Sequence, residues 1–299
     1  MKAPYICAIA VVAVGLGASG YTSVSASSPT RATLLAAHVT AACTTARNKY
    51  KSLVGKKLVV AVDPSSPGYE TISPSSKSPG HIVGFDADLL QAMSACLGFK
   101  YSYLTMGFGS LIASLQSNRT QLVMSTLYAT PAREQVVNFL AYEKVVDGTI
   151  IDKGNPDHIK SLASLCGLTD AQEVGSAEVE VAQAQSSKCT AEGKAPITVL
   201  SYSDQDEVFL AIEEGRANIT MTDTPVVQKV VEVFPDTLQT GFNTDLPYTI
   251  AIAAQKKETT LLNGLYSALR AVQSEGIEKK LLTKWSLATS SLVPAKIYR

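Results

Sequence analysis

The chain carries no surplus of charge of either sign, because its 26 Lys and Arg are matched by 26 Asp and Glu. Binding nucleic acid or an anionic membrane by electrostatics needs such a surplus, so neither is expected as a partner. No apolar run is long enough to span a bilayer. The one candidate, Ile6 to Gly17 and its surroundings, extends over about 15 residues, where a spanning helix needs roughly 20. Histidine is scarce: His38, His81 and His158 are the only three, and none ends an expected strand. Metal-ligand spacings and nucleophile motifs are absent as well, so no metal, cofactor or catalytic residue is expected. What is present is length, 299 residues of which 46% are hydrophobic, enough for two domains with real cores and a small partner.

The amino terminus reads as an export signal. Lys2, the apolar run and Val24-Ser25-Ala26 form the charged, hydrophobic and small-residue regions of a signal peptide over residues 1–26. The competing reading is an uncleaved anchor. Gly15-Leu16-Gly17-Ala18-Ser19-Gly20 matches a dinucleotide fingerprint, but no strand precedes it and it lies inside the export signal. No Cys follows the apolar run where a lipoprotein would need one; Ala41-Ala42-Cys43 is a poor, late alternative, interrupted by Arg31 and His38. Residues 27–42, small and polar, read as a tether. The expected location is outside the cytoplasm, periplasmic, cell-surface or extracellular.

Of five cysteines, Cys7 leaves with the signal, and an oxidising compartment favours pairing of the remaining four. Cys166 and Cys189 bracket one expected strand and helix, and a bridge between them would contribute about 3 kcal/mol in the chain-entropy model. Cys43 and Cys96 are left to each other, with two free thiols as the alternative. Cys96 falls off the apolar stripe of its helix, within reach of an N-terminal helix carrying Cys43.

Strand and helix signals alternate from residue 43 onward. A short helix is expected over 43–55, a strand over 57–62, then a loop rich in Pro, Ser and Gly after Asp63. The stretch 84–98, GFDADLLQAMSACLG, reads as a helix: Leu89, Ala92, Met93 and Leu97 recur at helical spacing, Asp86 and Asp88 favour the positive end of its dipole, and Gly98 closes it. Strands at 101–104 and 121–124 and a helix at 111–115 complete βαβ units that imply a mostly parallel sheet. A second α/β unit has strands near 150, 168–173, 197–200 and 218–222, with helices between and after them. A strand from Tyr248 and two helices follow; the first carries the core-facing stripe Leu261, Leu262, Leu265 and Leu269.

GFDADL before a helix resembles the signature of the family 3 extracellular solute-binding proteins, the amino-acid-binding subunits of bacterial ABC importers, and the likeness extends over about residues 55–288. The resemblance implies an α/β fold of two lobes, periplasmic-binding-protein-like, with a two-strand hinge and a ligand cleft between them. Lobe one would be 43–146 with 246–299, and lobe two 147–245. It also implies a monomer that delivers a small amino-acid-like ligand to a transporter permease, without being an enzyme.

Site residues follow from the same resemblance. Ser125-Thr126-Leu127-Tyr128-Ala129-Thr130-Pro131-Ala132-Arg133 is similar to the segment whose Arg clamps the ligand carboxylate, which assigns that role to Arg133 with Ser125 and Thr126 assisting. Asp223 would receive the ligand ammonium, although at a strand end it could instead cap the next helix. Ser176, in Gly175-Ser176-Ala177, would offer backbone NH groups to the carboxylate. Phe108 matches one of two aromatic walls. The other position holds Ser66, a departure from the family pattern that Tyr69 or Tyr128 would have to make good; Tyr128 stands where many members have Ser or Thr. Two other classes compete. An exported dehydratase on the same fold would need a general acid in the cleft, for which only Glu70 and Glu178 offer themselves. A sensor domain would need a membrane span, and none follows the fold.

Overall fold

The structure, a computed structural model, describes residues 40–73 and 81–299. The expected export signal, its fingerprint look-alike and tether residues 27–39 lie outside the described residues. Among the described residues no helix is long and apolar enough to cross a membrane.

Helix α1 (Ala41–Lys49) starts two residues before the expected 43–55, because the Thr40 side chain caps it by accepting from the Cys43 amide at 3.1 Å. It ends in a 3-10 turn at Lys51–Leu53 rather than running on to Gly55. Strand β1 (Lys57–Val62) follows. Within the expected loop after Asp63 the described residues include a small antiparallel sheet, β2 (Ser65–Ser66), β3 (Glu70–Ile72) and β4 (Ile82–Val83). The signature helix is α2 (Phe85–Leu97), and the reason its sequence opens on glycine is steric. Gly84 has φ +141°, and a Cβ there would lie 1.8 Å from the Tyr69 carbonyl oxygen, so no other residue fits. Asp86 and Asp88 in its first turn are both buried. Asp88 accepts from Trp285 Nε1 at 2.8 Å and thereby ties α2 to the C-terminal helices.

The chain continues through β5 (Lys100–Thr105), α3 (Leu111–Gln116), β6 (Leu122–Val123), the single turn α4 (Pro131–Glu134) and β7 (Val137–Glu143). It then enters β8 (Asp147–Asp152), β9 (Thr169–Glu173), α5 (Ala177–Ala191), β10 (Thr198–Tyr202), α6 (Gln205–Glu213), β11 (Ile219–Asp223), α7 (Thr224–Val233) and β12 (Leu238–Thr244). It closes with β13 (Ile250–Gln255), α8 (Thr259–Ser274), α9 (Ile277–Lys284) and β14 (Leu292–Tyr298). The Leu261, Leu262, Leu265 and Leu269 stripe of α8 is fully buried.

Two sheets carry two lobes, with strand orders β14-β7-β13-β6-β1-β5 and β10-β9-β11-β8-β12. Both are mixed, which corrects the expectation of a mostly parallel sheet. In the first, β1 runs parallel to β5 and β6, whereas β13 and β14 pair antiparallel to their neighbours. In the second, β9 is parallel to β10 and β11, and β8 is antiparallel to β11 and β12. For β8 and β13 the cause is the double passage between lobes, since each arrives from the other lobe with no crossover helix to turn it parallel; β14 returns after α9 and pairs antiparallel with β7 at the sheet edge. The passages, residues 144–146 and 245–249, lie side by side, and Lys144 Nζ meets Asp245 Oδ1 at 3.2 Å.

Both cysteine pairs are bridged. Cys43–Cys96 fastens α1 to α2, and Cys166–Cys189 fastens the segment before β9 to α5.

Candidate functional site

The parallel strands of both sheets end at one cleft, the place where open α/β sheets leave a crevice. Asp63 follows β1, Ser125 and Thr126 follow β6, Glu173 ends β9 and Asp223 ends β11. Asp147, starting antiparallel β8, is in register with Asp223 and therefore arrives at the same place. The lobes are closed on each other. The space they enclose measures about 30 Å³ and is lined from lobe one by Ser66, Phe108, Thr126 and Tyr128, and from lobe two by Glu173, Ser176, Glu178, Gln205 and Asp223 among others. That volume is about one water molecule.

Side chains cross the cleft at four points. Tyr128 of lobe one directs its hydroxyl to Asp147 Oδ1 at 2.6 Å and lies equally close to Asp223 Oδ1. Arg133 donates from Nη1 to the Tyr128 carbonyl and from Nη2 to the Gly175 carbonyl of lobe two, both at 2.8 Å, with its guanidinium over the Phe108 ring at 5.5 Å. Ser66 Oγ donates to Gln205 Oε1 at 3.3 Å. Asp63 and Glu173 face each other as a carboxyl pair.

The burial of several acids around one cation shifts their titrations. Burial, reinforced by the Asp63 charge, pushes Glu173 up to about 10, so it is protonated at neutral pH. Burial raises Asp63 too, against the hydrogen bonds that lower it. Asp147 and Asp223 are raised by burial, with the Glu178 charge adding to both. Burial lowers Arg133, and the Glu178 and Glu180 charges oppose that effect.

Of the residues singled out in the sequence, Phe108, Thr126, Tyr128, Ser176 and Asp223 line the space. Arg133 stands beside it, on Phe108. Asp223 does not cap α7 with its side chain, so its carboxylate is left for Tyr128. Thr126 has φ +42°, a strained value for a β-branched residue. It is held there by its amide donating to Asp86 Oδ2 and its hydroxyl donating to Glu70 Oε1, each at 3.3 Å.

Two residues are elsewhere. Ser125 is fully buried beneath the floor, donating to Glu70 Oε1 at 3.0 Å and accepting from the Asp63 amide at 2.9 Å. Tyr69 is in the lobe-one core, edge-on to Phe85, with its hydroxyl donating to Glu143 Oε1 at 3.2 Å. It is no cleft wall: the expected aromatic at Ser66 is replaced by Gln205 reaching over from lobe two. Asp147, Glu173 and Gln205 escaped the sequence reading. The first two are carboxylates at strand ends, as Asp223 is, but Asp223 was marked by the family resemblance, which assigns no role to them. Among the described residues no group of three or more His, Cys, Asp or Glu is arranged to hold a metal ion.

Comparison with known proteins agrees with the two-lobe fold. Residues 58–288 match the profile of the bacterial extracellular solute-binding proteins, family 3. ABC transporter arginine-binding protein 1 of Escherichia coli (strain K12) is 26% identical over 234 residues, 77% of this chain and 90% of its own length. Among solved structures, a mutant of ArgBP from T. maritima superposes with a TM-score of 0.69 at 27% identity, covering 81% of this chain and 99% of that one. An ancestral arginine-binding protein bound to arginine gives the same TM-score, 0.69, at 25% identity, covering 77% of this chain and 97% of its own.

Proposed function

The chain belongs to the bacterial extracellular solute-binding proteins, family 3, and from that premise we propose that it captures an amino acid with a cationic side chain and delivers it to the permease of an ABC importer. The observation that carries this reading is that three lobe-two carboxyls, Glu173, Glu178 and Asp223, line the space between the lobes, while the one guanidinium beside it, Arg133 of lobe one, reaches across to the Gly175 carbonyl. A zwitterion needs a cation for its carboxylate and an anion for its ammonium. Two further acids, Asp63 and Glu173, meet a second positive charge once Glu173 gives up its proton, and the named relatives bind arginine.

In this reading residues 1–26 direct export, 27–42 form the tether, and the protein acts as a monomer. The lobes, 43–146 with 246–299 and 147–245, rock about the two passages. Closure is favoured by a ligand only to the extent that it binds the closed form better. Calorimetric titration with L-arginine, L-lysine, L-histidine, L-glutamine and L-glutamate tests the proposal: the cationic members should bind tightest, and preference for L-glutamate would refute it.

One observation favours a second reading, an exported dehydratase. Glu173 in the cleft holds its proton well above neutral pH, as a general acid must. Glu70, by contrast, lies under the floor, bonded to Ser125 and Thr126. Turnover of a prephenate-like substrate, lost in Glu173→Gln, would support that reading over binding without chemistry.

A further inference from the structure

Tyr128 stands where two carboxylates compete for one proton. A phenol can donate only once, yet its oxygen lies 2.6 Å from Asp147 Oδ1 and equally close to Asp223 Oδ1. The second contact therefore has to be donated by a carboxylic acid. The other Asp147 oxygen is buried with no bonded donor, the Glu178 carboxyl lies within reach of Asp147, and Asp147 itself is 1% exposed. Every titratable group facing this point from lobe two is acidic: Asp147 on β8, Asp223 on β11 and Glu178 on α5. From lobe one come the phenols Tyr128, Tyr248 and Tyr69, the last acting on Asp223, and Arg133, acting on Glu178; Asp86 and Glu143 add negative charge from deeper in that lobe. This is a receptor for several N–H donors on a cation, filled by a neutral group with one.

We propose that Asp147 is a second ligand-binding carboxylate, and that the ligand's cationic nitrogen enters by displacing the Tyr128 hydroxyl from the Asp147–Asp223 pair. The inference rests on the amino-acid reading above and adds to it a residue and an exchange. Tyr128 is then a placeholder that satisfies the pair while the cleft is empty. Its ring, beside Tyr248 at 6.3 Å between centroids, has to tilt or withdraw for ligand to pass. The exchange also moves a proton. Asp147, held largely protonated by burial and by the Glu178 and Asp223 charges, must give its proton up to pair with a cation, and that proton leaves to solvent.

The test is titration of the full mature protein with L-arginine, by calorimetry in buffers of different ionisation enthalpy. Wild type should release about one proton per ligand at neutral pH and bind more tightly as pH rises over roughly 6 to 9. Asp147→Asn should lose more than about tenfold in affinity and release correspondingly less proton. Tyr128→Phe should bind more tightly than wild type, since it keeps the ring and removes only the hydroxyl that competes for the carboxylate pair. An Asp147→Asn protein within threefold of wild type, or a Tyr128→Phe protein weakened as much as Asp147→Asn, overturns the proposal. Should Asp147→Asn fail to fold, the Tyr128→Phe affinity and the wild-type proton count decide alone. If wild type takes up no amino acid at all, the functional reading and this inference fall together.

Discussion

Gly109 of lobe one and Gly175 of lobe two touch backbone to backbone across the cleft: a Cβ on Gly175 would stand 2.9 Å from the Gly109 Cα. From the other side, a Cβ on Gly109 would meet the Val174 carbonyl oxygen at 3.0 Å. Gly175 additionally has φ +84°, so a side chain there is strained even without a neighbour, whereas Gly109 carries no such demand. Gly109→Ala is therefore the cleaner probe of lobe contact. It should leave each lobe folded, weaken ligand binding by about tenfold or more, roughly 1.4 kcal/mol, and enlarge the ligand-free particle in small-angle scattering. An unchanged radius of gyration would show that this contact does not limit closure.

The two disulfides should not contribute equally. Cys43–Cys96 spans 53 residues and Cys166–Cys189 spans 23, which in the chain-entropy model corresponds to about 4 and about 3 kcal/mol. Paired Cys→Ala variants unfolded in urea should rank in that order. Loss of the first should also release α1 from α2, read as faster amide exchange in 41–49. A larger loss from the Cys166–Cys189 variant would mean that the bridge's local packing outweighs its loop.

Stability should fall as pH rises. Glu173 is pushed up to about 10, and Glu143, Asp170 and Glu278 to about 8, in each case chiefly by burial. A carboxyl with a raised folded pKa keeps its proton longer when folded, so its stabilisation is complete below the unfolded value near 4 and is lost as pH climbs to the folded value. The thermal midpoint without ligand should thus be higher at pH 5 than at pH 8. Glu278→Gln, which cannot ionise, should reduce that difference. A midpoint that rises between those two pH values would contradict the assignment.

How far the sequence could be read depended on whether a feature is local. The α2 helix and the α8 leucine stripe are local patterns, and each element formed near its expected place, whereas Asp223 was marked by the family resemblance. Arg133 was located by a motif, but its present partners, the Tyr128 and Gly175 carbonyls, depend on lobe closure and leave no trace in spacing. Tyr69 misled because an aromatic soon after a strand end can turn either to the cleft or to the core; here it lies against Phe85 with its hydroxyl on Glu143. Asp147 and Glu173 were legible only as acids at strand ends until the antiparallel pairing of β8 with β11 brought the former beside Asp223. The buried run Val137–Glu143 is continuous and apolar enough to have been read as a central strand.

Arg133 and Asp223 should fail differently when removed, because they act on different lobes. Arg133 already spends its guanidinium on the Tyr128 and Gly175 carbonyls, so it latches the closed form as well as offering charge to a ligand carboxylate. Arg133→Met removes both roles. Binding should weaken by on the order of a hundredfold or more, the cost of leaving a charged group buried and unpaired, and the ligand-free particle should expand. Asp223→Ala leaves the Arg133 latch and the Tyr128–Asp147 bond in place. It should weaken binding while the ligand-free dimensions stay close to those of wild type. Small-angle scattering beside calorimetry on the two variants separates these outcomes: expansion in Asp223→Ala but not in Arg133→Met would reverse the assignment, and tight ligand binding by Arg133→Met would remove Arg133 from the site.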